Sequence, residues 1–213
     1  MVEPSLYAAD FARLGEQVET LLDAGASVFH WDVGDGHFVE PVTMGPIVLR
    51  AIAPLVHERG GVLDCHLMVD NPDRHVAQFA EAGADSVTVH VEVDWREALR
   101  VAREHGLAAG LAVNPETPVA DAVAVADGFD LVLCMSVHPG YSGQAFIPES
   151  IERVRRLADL LSDGTPIQVD GGIGRDNAPA LGGAGATLFV AASAIFGGGD
   201  PAGAYHALVQ AID

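Results

Sequence analysis

Two imidazoles and two carboxylates in apolar segments are the residues of this chain best suited to chemistry. His30 and Asp32 lie in VFHWDVGDGHF, His66 lies in VLDCHLMV, and Asp170 lies in PIQVDGG. Together they could hold one divalent metal ion, because imidazole and carboxylate are ordinary ligands of such ions. If the two carboxylates also flank a carbon atom, they could move a proton from one of its faces to the other. The residues therefore indicate the equipment of a metal-dependent epimerase.

The absence of lysine removes several competing chemistries. All eleven basic residues are Arg. A Schiff base between enzyme and substrate needs a Lys amine, so aldolases of that type are excluded. Decarboxylases that use an Asp/Lys array are excluded for the same reason. An aldolase that depends on a metal is not excluded by composition, but its motifs are absent.

Short apolar runs alternate with amphipathic segments along the chain. The runs are rich in Val, Leu and Ile, which is typical of parallel strands covered on both faces. The predicted strands are residues 4–8, 28–34, 62–69, 86–92, 108–113, 131–137, 166–172 and 187–193. Apolar residues at helical spacing predict helices at 10–23, 45–53, 73–82, 95–105, 118–126, 148–161, 176–183 and 201–212.

Eight strand–helix units in one chain predict an α/β fold, a single (β/α)₈ TIM barrel domain over residues 1–213. A doubly wound open sheet is the alternative. Glycines stand where helices should end, as in C-caps. They are Gly25, Gly83, Gly106, Gly128 and Gly185. No linker or low-complexity segment divides the chain.

The candidate ligands all fall late in predicted strands. Side chains alternate along a strand, so His30, Asp32 and Gly34 share one face. In barrels of this kind, chemistry lies at the carboxyl ends of the strands. We therefore expect the ligands to converge on the barrel axis and to bind one divalent metal per chain. Zinc suits this ligand set best, and manganese, iron or cobalt would also fit.

Three loops that contain glycine follow later strands, and they predict a phosphate site. They are HPGYSGQ at 138–144, DGGIG at 170–174 and AASAIFGGG at 191–199. Exposed backbone N–H groups and nearby helix N-termini bind phosphate without a cation. Loops after the seventh and eighth strands are a recurrent phosphate site in barrels.

The remaining histidines are expected to play lesser roles. His90 should point into the barrel and be structural, and His37 lies in a loop beside the candidate ligands. Either Asp35 or Asp64 is expected to hydrogen-bond a ligating imidazole. Four histidines on predicted helices are expected to be solvated, namely His57, His75, His105 and His206.

Composition limits the partners and the compartment. The formal net charge of −19 argues against nucleic acid or an anionic membrane as partner. The N-terminus has no basic region followed by a long apolar run, so no secretion signal is expected. Cys65 and Cys134 lie in apolar runs and are expected to be buried and reduced. A cytoplasmic protein is predicted.

Eight motifs resemble those of the ribulose-phosphate 3-epimerase family of ketose-phosphate 3-epimerases. In order they are PSLYAADF, FHWDVGDGHFVEPVTMG, LDCHLMVDNP, FAEAGADSVTVHVE, GLAVNPETP, MSVHPGYSGQAFIP, IQVDGGI and AASAIFG. The resemblance implies a (β/α)₈ barrel and a metal held by His30, Asp32, His66 and Asp170. It also implies that Asp32 and Asp170 are the acid/base pair in C3 epimerisation of a ketose phosphate, by default D-ribulose 5-phosphate.

The same resemblance implies a substrate site and an assembly. Met68 and Met135 match methionines that lie over the reacting centre, and small residues of the late loops match those that hold the substrate phosphate. The expected substrate contacts are His66, Met68, Met135, Gly140, Tyr141, Ser142, Gly143, Gly171, Gly172, Ala192 and Ser193. Family members are commonly oligomeric, so a homo-oligomer is expected.

Three positions depart from the family pattern. Ala8 replaces a Ser that contacts the substrate, Gly34 replaces a Met, and Ala192 replaces a Gly. Ala8 and Gly34 are therefore treated as altered pocket positions, and they raise the alternative of a larger hexulose or heptulose phosphate. A degenerate barrel that only binds a sugar phosphate is the non-enzymatic alternative, but all four candidate ligands are retained.

Overall fold

The computed structural model describes residues 1–212, so the last residue of the predicted domain lies outside the description. Strands and helices alternate along the chain. The strands are β1 (Val2–Pro4), β2 (Val28–Gly34), β3 (Val62–Met68), β4 (Ser86–His90), β5 (Ala108–Val113), β6 (Leu131–Met135), β7 (Ile167–Asp170) and β8 (Leu188–Ala191).

The eight strands form one parallel sheet that closes on itself. The ladder runs β1-β8-β7-β6-β5-β4-β3-β2. A parallel bridge between Ser5 and His30 then joins the end of β1 to β2. This closure confirms the predicted (β/α)₈ TIM barrel, because an open doubly wound sheet would leave two free edges.

The helices cover the outside of the barrel. They are α1 (Leu14–Asp23), α2 (Pro46–His57), α3 (Asp73–Ala82), α4 (Arg96–Glu104), α5 (Val119–Val123), α6 (Ser150–Leu160), α7 (Ala178–Ala184), α8 (Ser193–Phe196) and α9 (Pro201–Ile212). The short α8 directly follows β8 and was predicted as the end of a strand and its loop. None of the described helices combines the length and apolar character that a membrane crossing requires.

The first predicted strand, 4–8, is wrong. Strand β1 ends at Pro4, and Leu6–Ala8 is a 3₁₀ helix. The Ser5 N–H makes the last bond to β8, at Ala191 O (2.9 Å), and Ala9 N–H then bonds back to Leu6 O (3.1 Å). Leu6 is nonetheless fully buried. The apolar run in the sequence continues beyond the last residue of strand β1, which is why it predicted a longer strand.

Alternation along the strands separates two environments. On β2, Phe29 and Trp31 belong to the apolar core between strands and helices. His30 and Asp32 are also buried, but they form hydrogen bonds with polar side chains inside the barrel, namely Asp64 and Ser5. The predicted strands 131–137, 166–172 and 187–193 each end about two residues early, because the chain leaves the ladder where the polar loops begin.

Candidate active site

The four predicted ligands meet at the carboxyl ends of β2, β3 and β7. Asp32 faces His66 in the register of β2 and β3. Asp32 Oδ1 lies 3.3 Å from His30 Nε2 and 3.2 Å from His66 Nδ1. His66 Nδ1 is 3.8 Å from Asp170 Oδ2. One donor atom from each of the four residues lies within 4.8 Å of the others, which is the spacing of a single ion's ligands.

The donor atoms fit a divalent transition metal. His30 Nδ1 is hydrogen-bonded to Asp64 Oδ2 at 2.9 Å, whereas the buried His30 Nε2 makes no well-formed hydrogen bond and has only the 3.3 Å contact to Asp32 Oδ1. A buried polar atom without a well-formed hydrogen bond needs an explanation, and a bound ion shared with Asp32 would supply one. Two imidazole nitrogens and two carboxylates in a buried cluster are a donor set that zinc and its neighbours accept.

Burial and neighbouring charges shift the pKa values of the two carboxyl groups, Asp32 and Asp170, in opposite directions. Burial, reinforced by Asp32, raises the pKa of Asp170 to about 7. Burial would also raise the pKa of Asp32, but the imidazoles of His30 and His66 lower it below its ordinary value. Ser5 Oγ donates to Asp32 Oδ2 at 2.5 Å, which also favours the ionised form. Two carboxylates with separated pKa values are typical of an acid and a base that act as a pair.

The His30 imidazole shows that the cluster attracts positive charge. Burial lowers its pKa, but Asp32 and Asp64 together raise it well above the ordinary value. The carboxylates therefore stabilise a proton on this ring. A divalent cation between the same groups would take the place of that proton, since metal binding to such sites releases protons.

A second cluster of acidic residues, which shares His30 with the four predicted ligands, supports the first cluster. Glu3, His30 and Asp64 also bring donor atoms close together. Gln168 Nε2, however, already donates to Glu3 Oε2 at 2.5 Å and to Asp64 Oδ2 at 2.8 Å. Ser86 Oγ donates to Asp64 Oδ1 at 2.5 Å. These bonds occupy the carboxylates and fix Asp64 against His30.

Of the two acids considered as partners of a ligating imidazole, Asp64 makes the contact. Asp35 instead accepts backbone N–H bonds from His37, Phe38 and Asp70 at 2.8–2.9 Å, so it shapes the loop after β2. The His37 side chain is exposed. Of the four histidines placed on helices, His57, His105 and His206 are exposed and His75 is half-buried.

A cleft opens above the cluster. It is lined by all the expected substrate contacts except His66, which lies buried beneath Asp32. The cleft residues not anticipated from sequence are Ser5, Tyr7, Val137, Pro139, Ile173 and Val190. Tyr7 lies in the 3₁₀ turn that replaces the end of the predicted first strand, and Ser5 directly precedes it. Because the sequence predicted a strand through these positions, neither residue was recognised as part of the cleft.

The turn after β7 requires glycine. Gly171 and Gly172 have φ values of 116° and 64°. A Cβ on Gly171 would lie 2.4 Å from Val137 Cγ2, and one on Gly172 would lie 2.8 Å from Phe146 N. Ser136 Oγ lies 2.8 Å and 2.7 Å from the carbonyl oxygens of Asp170 and Gly171. The turn therefore packs too closely against Val137 and Phe146 to admit a side chain at either glycine, and its backbone forms one wall of the cleft.

A model of the ribulose-phosphate 3 epimerase family matches residues 1–196. The chain belongs to this family. It is 42% identical to ribulose-phosphate 3-epimerase of Bacillus subtilis (strain 168), over 93% of this chain and 93% of that protein. It is also 42% identical to the Escherichia coli (strain K12) enzyme of the same name, over 92% of this chain and 88% of that protein. The chain is thus an isomerase of the epimerase class.

Solved structures with the same fold have other names. The 3-hexulose-6-phosphate synthase from Salmonella typhimurium matches 99% of this chain and 97% of its own, with a TM-score of 0.78 and 18% identity. A thiamine phosphate pyrophosphorylase from Pyrococcus furiosus matches 99% of this chain and 93% of its own, with a TM-score of 0.71 and 20% identity. At such identities the likeness shows the barrel fold alone.

Two of the three departures from the ribulose-phosphate 3-epimerase pattern do not alter the cleft as expected. Neither Ala8 nor Gly34 lines it, and only Ala192 does. A Cβ on Gly34 would lie 2.6 Å from Pro41 O and 2.8 Å from Val39 Cγ2. The loop that follows β2 thus fills the space above Gly34. The expectation that Gly34 leaves extra room for the substrate is therefore wrong.

His90, which the sequence predicted to be structural, directly contacts the candidate ligand His66. It is fully buried, and its ring stacks on His66 with centroids 5.0 Å apart. The two Nε2 atoms are 2.8 Å apart, and His90 Nδ1 lies 3.1 Å from Glu92 Oε2. The sequence held a signal, because His90 and Glu92 repeat the spacing of His30 and Asp32 at a strand end.

Proposed function

We propose that this chain interconverts D-ribulose 5-phosphate and D-xylulose 5-phosphate by epimerisation at C3. The observation that carries the proposal is the pair of carboxylates Asp32 and Asp170, which line the floor of the same cleft and lie 3.2 Å and 3.8 Å from His66 Nδ1. The names of the relatives at 42% identity support this substrate.

We further propose one divalent metal per chain, held by His30, Asp32, His66 and Asp170, with zinc the best fit. When bound, the ion supplies Lewis-acid stabilisation of the negative charge that develops on the C2 oxygen of the substrate. Two features support this assignment: the buried His30 Nε2 makes no well-formed hydrogen bond, and the neighbouring carboxylates favour positive charge on His30.

The two carboxylates then divide the proton transfer. One removes the C3 proton, and the other supplies a proton to the opposite face of the enediolate. Both carboxylates line the floor of the cleft, where they can reach a bound substrate. Ser5 holds Asp32 Oδ2 and thereby orients the second carboxylate. Met68 and Met135 are almost fully buried in the wall of the cleft, where they exclude water from the reacting carbon.

The far end of the cleft is proposed to bind the substrate phosphate through backbone groups. Gly143, Gly171, Gly172, Ala192 and Ser193 line it. No Arg side chain lines the cleft over the described residues 1–212. Backbone N–H groups of tight turns bind phosphate without a cation.

The structure favours a pentulose over the larger alternatives. The hexulose and heptulose phosphates were suggested by a vacated space at Gly34, and residues 39–43 fill that space.

A homo-oligomer stays a prediction. Sedimentation of the purified protein would measure its oligomeric state.

A substrate panel tests the proposal. Metal-loaded protein is assayed with pentulose, hexulose and heptulose phosphates while C3 inversion and solvent deuterium uptake are followed. We expect the highest kcat/KM with D-ribulose 5-phosphate, and deuterium at C3 of the product. A higher kcat/KM with a hexulose phosphate would contradict the substrate, and inversion without deuterium would contradict the proton transfer.

Elemental analysis tests the metal separately. Protein purified without chelator should contain about one equivalent of a divalent metal per chain, as one four-ligand site implies. His66→Ala should lose most of it, because three ligands bind less tightly than four. Full metal content in that variant would show that the site is misassigned.

A further inference from the structure

A chain of hydrogen bonds leads from His66 away from the cleft. His66 Nε2 lies 2.8 Å from His90 Nε2, and His90 Nδ1 lies 3.1 Å from Glu92 Oε2. Glu92 Oε1 accepts the Asn114 N–H at 2.8 Å, and Glu92 also accepts a hydrogen bond from the Thr117 side chain. The chain therefore ends on a carboxylate at the rim of the barrel, whose side chain is 20% exposed.

The partners of Glu92 set the direction of every bond in this chain. The Asn114 N–H can only donate to Glu92. Burial raises the pKa of Glu92, but hydrogen bonds from His90, Thr117 and Asn114 lower it to about 2, so Glu92 is an ionised acceptor and His90 Nδ1 must donate to it. A neutral imidazole with its hydrogen on Nδ1 carries a lone pair on Nε2. His66 Nε2 must therefore donate to His90, which leaves the lone pair of His66 on Nδ1.

That lone pair faces the carboxylates. His66 Nδ1 lies 3.2 Å from Asp32 Oδ1 and 3.8 Å from Asp170 Oδ2. A lone pair directed at two carboxylate oxygens is repelled unless a cation lies between them. The direction of the outer hydrogen bonds thus prepares His66 Nδ1 as a metal ligand rather than as a proton donor to Asp32.

We propose that His90 and Glu92 are positioning residues of the metal centre, which hold His66 in the tautomer and orientation that present Nδ1 to the ion. The inference rests on the proposed metal site. His30 receives the equivalent support directly from Asp64, whereas His66 receives it from Glu92 through a second imidazole. Partners of this kind orient ligating histidines and raise their basicity.

Packing alone is the competing role for His90. Its ring also contacts Phe38, with centroids 4.6 Å apart. His90→Phe keeps an aromatic ring of similar shape but removes the acceptor for His66 Nε2. His90→Gln loses the ring but keeps a side-chain oxygen that can accept this bond. The two roles therefore predict opposite rankings of the two variants.

The zinc affinity of the metal-stripped, full-length protein distinguishes these rankings, measured by competition with a chromophoric chelator. We expect His90→Phe to weaken zinc binding by about 10–100-fold, as loss of such a partner typically does. His90→Gln should bind more tightly than His90→Phe, and Glu92→Gln should fall between wild type and His90→Phe. Glu116→Gln is the matched control, because Glu116 pairs with the exposed His138 at 2.9 Å and lies outside the chain of bonds.

A second measurement needs no variant. Long-range ¹H–¹⁵N correlations of the zinc-loaded wild type should show His90 protonated on Nδ1 and not on Nε2. The opposite tautomer, or zinc affinity of His90→Phe equal to that of the wild type or above that of His90→Gln, would overturn the positioning role while the metal site stands. A wild type that binds no zinc would overturn the metal site and the positioning role together.

Discussion

The floor and the outer end of the cleft recognise their parts of the substrate by different means. At the floor, charged and polar side chains are buried and hydrogen-bonded to one another, as Asp32 is to Ser5 and His30 is to Asp64. At the outer end, Gly171 and Gly172 present backbone in conformations that other residues rarely adopt. The floor thus depends on the identity of side chains, whereas the outer end depends on the path of the chain.

The difference follows from what each end must do. Proton transfer needs groups whose pKa values can be adjusted, and burial beside other charges adjusts them. A phosphate that only has to be held needs oriented N–H groups, and turns supply these without a charged side chain. At the floor, a substitution that keeps the shape of a side chain but changes its chemistry should therefore lower the rate of epimerisation. At the outer end, adding one methyl group to a glycine should weaken substrate binding.

The largest effect is expected at the floor. Asp170→Asn and Asp32→Asn keep the shape of the side chain but remove the acid or base, so each should lower epimerisation by about 10²-fold or more. The variants are assayed at saturating metal, and their metal content is measured to separate proton transfer from ligation. Near-normal turnover by Asp170→Asn would contradict the two-carboxylate mechanism.

The next effect should come from one methyl group at the outer end. In Gly172→Ala the Cβ would meet Phe146 N at 2.8 Å and Gln144 O at 3.0 Å, at a φ of 64°. Backbone strain of this kind costs on the order of 1–3 kcal/mol, so the turn should shift and KM should rise roughly 10-fold, with a smaller change in kcat.

Gly174→Ala is the matched control for that variant. It lies in the same loop, and its Cβ would meet nothing closer than Ala194 Cβ at 4.0 Å. Its KM should remain close to that of the wild type. Equal KM values for the two variants would show that the backbone path at Gly172 does not hold the phosphate.

The sequence predicted the floor well, because its signal is local. Strand β2 has the predicted bounds, and alternation along it places His30 and Asp32 on the inner face. The space above Gly34 could not be predicted in this way. It is filled because Thr43 Oγ1 accepts the Gly34 N–H at 2.7 Å and draws the following loop back over the strand. The direction of the bonds through His90 likewise depends on Asn114 and Thr117, which follow a different strand.

A substitution at Gly34 tests that correction. Gly34→Met should destabilise the protein by about 1–3 kcal/mol, as overpacking typically does, because its side chain would displace residues 39–43. The ratio of kcat/KM for D-ribulose 5-phosphate to that for larger ketose phosphates should not rise. Thermal unfolding and the substrate panel measure the two effects. A clear gain in preference for the pentulose would show that Gly34 does contact the substrate.

The smallest effect is expected at the cation nearest the phosphate loops. Arg175 follows the DGGIG turn, but its side chain is exposed and does not line the cleft. Asn177 instead fixes this loop, through Nδ2 to Gly172 O at 2.8 Å and through Oδ1 to Gly174 N–H at 2.9 Å. If backbone groups bind the phosphate, Arg175→Ala should raise KM by less than ~10-fold, which corresponds to about 1.4 kcal/mol. Arg155→Ala, on the exposed face of α6, is the control for the loss of one positive charge from an acidic protein. An increase of several hundredfold in Arg175→Ala alone would show that the outer end, like the floor, depends on a charged side chain.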